Sequence, residues 1–248
     1  MDLLIEANRW FHIIVGFTGL AAWWVPVLTK KGGKQHVFFG KLFALSAYII
    51  GTTALAGVSM RMGYALWQGI DVTQNPETFG FLIFLAYLGV VTIGITHQAV
   101  RVIRTRNDPD SIRTPFLKAL AVLMGVGSLA VVTWAVTQWS SVSPVLLALS
   151  PVGLLGAHGI YKYMYHRPPE KMAWWYEHMG AMLGAGIAFH TAFLVFGSRV
   201  VIDLQIFGAF NWVPWVLPAV IGTIGGSYWE KFYRRKFGDL PSDGAANA

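Results

Sequence analysis

Seven apolar stretches, separated by short polar connections, lie along the chain at roughly 10–28, 37–60, 79–100, 116–139, 143–163, 177–198 and 211–229. Each approaches the ~20 residues that an α-helix needs to cross ~30 Å of hydrocarbon. The pattern predicts an all-α protein, a polytopic membrane bundle of seven transmembrane helices. No connection is long enough to separate two domains, so residues 1–236 read as one membrane domain. Residues 237–248, ending DGAANA, read as a disordered cytoplasmic tail. The 61–78 connection mixes aromatics with turn residues and is expected to form a short helix lying in the interface. The 198–211 connection resembles it, with Ile202, Leu204, Ile206 and Phe207 too few to span.

Charge fixes an expected orientation. The 19 Lys and Arg divide 16 to 3 between alternate sides of the apolar stretches. The 28–41 connection holds Lys30, Lys31, Lys34 and Lys41, and the 100–118 connection holds Arg101, Arg104, Arg106, Arg113 and Lys118. The 162–171 connection holds Lys162, Arg167 and Lys171, and the tail holds Lys231, Arg234, Arg235 and Lys236. Only Arg9, Arg61 and Arg199 lie on the other side. Basic loops remain cytoplasmic, which predicts an outer N-terminus, a cytoplasmic C-terminus and residence in the inner (cytoplasmic) membrane. The first stretch follows acidic Asp2 and Glu6 rather than a basic segment, and reads as a retained helix rather than a signal peptide.

Composition narrows the chemistry. The chain has 248 residues, of which 55% are hydrophobic and only 12% charged, and its mean hydropathy is +0.51. The net charge of +7 is spread over four cytoplasmic segments and needs no nucleic-acid partner. The absence of cysteine excludes thiolate metal sites, iron–sulfur clusters and a thiol nucleophile. No HExxH is present, so the common zinc-hydrolase pattern is missing. No span core holds an Asp or Glu that reads as buried, Glu177 being placed at the start of the sixth stretch. This argues against proton- or sodium-coupled transport and against hard-cation sites.

Histidine remains. On the predicted topology His12 and His190 form an outer layer, while His36, His97, His158 and His178 gather near the cytoplasmic ends of their helices. His166 belongs to a solvated loop. His178 and His190 share one helix, ~18 Å apart at 1.5 Å rise per residue. Two histidines so spaced, each paired with a histidine on another helix, are the way membrane b-type cytochromes hold two haems. Imidazole is a strong haem-iron ligand. The same helix carries Gly180, Ala181, Gly184, Ala185 and Ala188. Such a stripe ordinarily serves close helix packing, and a flat cofactor is the alternative use. Arg61 or Arg199 on the outer side, and Arg101, Arg104 or Lys41 on the inner, are candidate partners for propionates. Pro214 and Pro218 are expected to kink the last span and could shape a quinone cleft.

The stretch GKQHVFFGKLFALSAYIIG, with His36-x3-Gly40-Lys41 at the start of the second span, resembles a signature of bacterial multi-pass membrane proteins of unknown function. That family carries a His-x3-Gly-Arg/Lys motif before a helix and a later helix bearing histidines. The resemblance implies a polytopic membrane protein and no particular reaction.

Together these features predict a b-type cytochrome binding one or two haems b and passing electrons, with quinone or other redox subunits as partners. His12 and His190 are the expected outer ligands, and His97 and His178 the expected inner pair. His36 and His158 are the substitutes, and Gly184, Arg61 and Arg101 line the cofactor. The competing expectation is a cofactor-free transporter or scaffold, with histidines as hydrogen-bonding or pH-sensitive contacts.

Overall fold

The computed structural model describes residues 2–197 and 213–240. Among these residues eight α-helices follow one another: α1 (Asp2–Leu28), α2 (Lys34–Trp67), α3 (Pro76–Arg104), α4 (Pro115–Thr137), α5 (Ser143–Leu149), α6 (Pro151–Tyr165), α7 (Ala173–Ala192) and α8 (Val213–Phe237). A 3-10 turn, Pro109–Ile112, lies before α4, and a π turn, Phe193–Gly197, extends α7. The described residues contain no strand. Among the described residues six helical segments are long and apolar enough to cross a membrane: α1, α2, α3, α4, Ser143–Tyr165, and α7 with its π turn. The chain is thus a multi-pass helical bundle. The 198–211 connection, with Arg199, and the tail beyond 240 lie outside the described residues.

Two expected boundaries change. The short helix expected within 61–78 is instead the continuation of α2 to Trp67, where Gly69 turns the chain at φ 71°. At 1.5 Å per residue α2 is about 50 Å long and overshoots the hydrocarbon. The fifth stretch is not one helix but two, broken at Ser150–Pro151. Proline lacks the N–H that would continue the ladder. The Tyr87 hydroxyl repairs the gap by donating toward the carbonyls of Leu149 (3.1 Å) and Ser150 (2.9 Å) while accepting from the Gly153 amide (2.6 Å). Backbone groups in lipid need such partners, because no water can supply them.

Helix α3 is the hub, packing against α2, α4, α6 and α7. Its core cluster holds Phe84, Tyr87, Val91 and Val102 with Leu117, Met124 and Val131 of α4 and Ile160 of α6. Close approach rests on glycine where helices cross. At the α2–α3 crossing, a Cβ on Gly51 would meet the Gly89 carbonyl at 2.8 Å, and one on Gly89 the Gly51 carbonyl at 3.0 Å. A smaller cluster joins Ala22 of α1, Phe43 and Ala47 of α2, and Ala185 and Phe189 of α7. Leu123, Val126, Leu129, Leu155, Ile221 and Ile224 face outward, as lipid contact requires.

Candidate functional site

Helix α7 is flanked by three partners on three faces. The α1 residue Trp23 lies against Gly186 and donates its indole N–H to the Met182 carbonyl at 3.1 Å. Helix α3 faces Gly184 through Ile95, and α8 lies along Leu183 and Ile187 through Gly226 and Gly222. The small-residue stripe therefore divides. Gly186 makes the tight helix contact, whereas a Cβ on Gly180 would meet nothing within 4 Å and one on Gly184 only Ile95 at 3.9 Å.

The histidines share a local chemistry. The Nδ1 of His36 faces the Pro26 carbonyl (3.2 Å), that of His178 the Ala99 carbonyl (3.0 Å), and that of His190 the Gly186 carbonyl (2.7 Å). A carbonyl only accepts, so each of these Nδ1 atoms donates, and in the neutral ring Nε2 holds the lone pair. His12 reaches the same state by another route. Its Nδ1 meets the Thr53 hydroxyl at 2.8 Å, and that hydroxyl already donates to the Ile49 carbonyl at 2.8 Å, leaving His12 as the donor. The Nε2 of His190 is buried without a hydrogen-bond partner, and Trp23 and Trp24 pack edge-on against the ring at centroid distances of 5.0 and 5.4 Å. An imidazole anchored through Nδ1–H with Nε2 open is the arrangement of metal-ligating histidine.

His36 on α2 and His178 on α7 both lie near the start of their helices. They lie beneath the Phe43–Phe189 ring contact (5.0 Å), His36 two turns before Phe43 and His178 three turns before Phe189. Gly40, one turn after His36, sits beside Pro26, so the His36-x3-Gly40-Lys41 segment closes the α1–α2 hairpin.

The rings of the expected pairs make their contacts with other groups. His97 points toward α2 and α4, with its Nδ1 3.0 Å from the Tyr48 hydroxyl and its ring 4.9 Å from Phe116. His178 meets Ala99, two residues and about 200° further around α3 at ~100° per residue. His190 lies level with Trp23 and Trp24, whereas His12 is 11 residues before Trp23, about 16 Å along the helix axis. His158 and Arg61 are exposed. Arg101 donates to the Ser111 carbonyl, and its Nε is buried without a partner. No group of three or more His, Cys, Asp or Glu suited to a metal ion occurs among the described residues.

Sequence reasoning placed Glu177 at a helix start without a buried role. The structure corrects this: Glu177 turns toward α3 and accepts a hydrogen bond from Gln98, which is buried. Its position one residue before His178, on the face that meets α3, was the available signal. Tyr48 and Thr53, the hydroxyl partners of His97 and His12, gave no signal of their own, because only helix packing brings them to those rings.

The basic segments gather at one end of the bundle. Arg113 donates to the Met164 carbonyl at 2.8 Å, Arg234 bridges to Glu170 at 3.2 Å, and Lys31 lies over the Trp229 ring at 4.9 Å. No protein-family model, curated protein or solved structure matches the chain.

Proposed function

We propose that the protein is a membrane-embedded b-type cytochrome, with a haem held between α2 and α7 by His36 and His178. One observation carries this reading: two imidazoles on different helices, both preceding the Phe43–Phe189 ring contact on their helices, are each pinned by Nδ1–H to a backbone carbonyl, which leaves Nε2 as the lone-pair nitrogen. That donor set fits bis-histidine haem ligation. A haem bound there would supply one-electron redox chemistry. The protein's part is to fix the ring orientations through Pro26 and Ala99 and to keep the site apolar beneath Phe43 and Phe189. His97 is directed elsewhere and is not needed as a ligand. His190 offers an open Nε2 without a second histidine beside it among the residues that surround its ring.

Helix α8 serves as the seventh span in this reading. It runs antiparallel along the whole of α7, from Trp215 beside Phe196 (5.5 Å) to Asp239 beside the Tyr176 hydroxyl (2.5 Å). The common end shared by the basic segments supports a cytoplasmic C-terminus and an outer N-terminus. The deciding experiment is a reduced-minus-oxidised visible spectrum of the purified protein. A b-type α-band that disappears in both His36→Ala and His178→Ala supports the reading. Its absence from the wild-type protein, expressed with haem supplied, sinks it.

The second reading, a cofactor-free transporter, gains one observation from Glu177, a carboxylate drawn into the α3–α7 interface. Reconstituted vesicles would then show proton movement that Glu177→Gln abolishes.

A further inference from the structure

A groove of about 710 Å³ opens between the C-terminal end of α1 and the last turns of α8, at the end of the bundle where the basic segments gather. Its lining includes three ammonium groups, Lys30, Lys31 and Lys236, and no carboxylate. Apart from Thr29 the rest is aromatic or apolar, with Trp175, Trp229 and Phe232 foremost. Lys31 is the most constrained of the three. Its Nζ donates to the carbonyls of Pro26 and Val27, both at 2.7 Å, and faces the Trp229 ring. These partners orient the ammonium without neutralising it, and no ion pair of Lys31 with a carboxylate occurs among the described residues. Burial pushes its pKa down from the usual lysine value, as expected for a cation lacking a counter-charge.

The position matters as much as the charge. Helix α1 ends at Leu28, which is exposed, and α8 presents exposed Tyr228 and Phe232 beside it. Aromatic rings and lysines at the ends of spans mark the depth of lipid headgroups. A ligand that satisfies this groove needs an anion at the lysines and an apolar body that follows the aromatic wall toward the bilayer.

We propose that this groove binds the headgroup of an anionic phospholipid, its phosphate meeting Lys30, Lys31 and Lys236 and its acyl chains lying along α1 and α8. The groove adjoins the histidine pair, because the Lys31 Nζ and the His36 Nδ1 both donate to the Pro26 carbonyl, but lipid binding there does not require haem.

The test uses the purified full chain in detergent, titrated with phosphatidylglycerol or phosphatidylcholine and read by native mass spectrometry. Preferential retention of phosphatidylglycerol is expected, weakened about fivefold per lysine removed. Lys31→Ala and the surface double variant Lys30→Ala/Lys236→Ala should both show it, and Lys118→Ala, which removes the same charge from another connection, should not. Brominated phosphatidylglycerol should quench wild-type fluorescence more than that of Trp229→Phe. Equal retention of the two lipids would overturn the proposal, as would equal loss in Lys118→Ala. Displacement of the bound lipid by glycerol phosphate would also overturn it, because the groove would then recognise a free anion rather than a lipid.

Discussion

The α3–α4–α6 half of the bundle and the α1–α2–α7–α8 half obey the same membrane physics and use it differently. In the first half, side chains such as Phe84, Met124, Val131 and Ile160 are completely buried, and the Pro151 break is filled by one phenol with three hydrogen bonds. In the second half, four histidines each bond through one ring nitrogen, a buried Nε2 has no partner, and Gly180 faces open space. Helices in lipid gain little from apolar burial alone, so packing and polar satisfaction decide where they are rigid. The first half also keeps buried polar atoms without a partner, Thr96 Oγ1, Arg101 Nε and Ser128 Oγ, but its side chains pack to full burial and it serves as the scaffold. The second half differs in what it leaves open, an imidazole nitrogen on His190 and free space at Gly180, and that is where the proposed ligand would bind.

The largest effect expected is all-or-none. His178→Ala should remove the reduced haem band entirely, while His97→Ala and His158→Ala leave it in place. Retention of the band in His178→Ala would erase the contrast between the halves. Next, Phe84→Ala should cost about 3 kcal/mol of stability by opening a cavity at the hub, measured by denaturant titration in detergent. The same change should leave any haem absorbance of the folded fraction intact. Tyr87→Phe should cost about 1–2 kcal/mol, because the Gly153 amide and the Leu149 and Ser150 carbonyls lose their partner in a region without water. A neutral result there would mean that the Pro151 break is satisfied otherwise.

The smallest effects sharpen the comparison within one helix. Gly186→Ala should destabilise by about 1–3 kcal/mol, because its Cβ drives into the Trp23 indole. Gly180→Ala should be neutral or stabilising by up to about 1 kcal/mol, since helix propensity improves and no atom is in the way. Thermal unfolding of the two variants side by side reads the difference. Equal destabilisation would return the Gly180–Gly184 motif to helix packing.

Much of this was legible in the chain. The apolar stretches located the helices, and the lysines and arginines located the end at which Arg113, Arg234 and Lys31 cluster. What was missed depends on direction rather than depth. His97 and His178 do lie at one end of the bundle, yet they occupy different faces of α3. Helical position along an axis follows from counting residues, but the azimuth that finds a partner follows from which neighbour packs on which face. For the same reason Glu177 passed as a helix-start residue until α3 brought Gln98 to it. The 143–163 stretch reads as one span in sequence, although Pro151 lies within it. That the break persists inside the bundle depends on Tyr87, 64 residues away.

The sequence by itself determined an all-helical, multi-pass chain with its basic segments at one end, because hydrophobic length and loop charge are one-dimensional quantities. Only the tertiary structure decided that His178 bonds the Ala99 carbonyl while His97 faces Tyr48 and Phe116, that Gly186 rather than Gly180 is the packing glycine, and that Lys31 faces Trp229. These are contacts between helices distant in sequence. They follow from the rotation and crossing of packed cylinders, which no spacing along a single helix encodes.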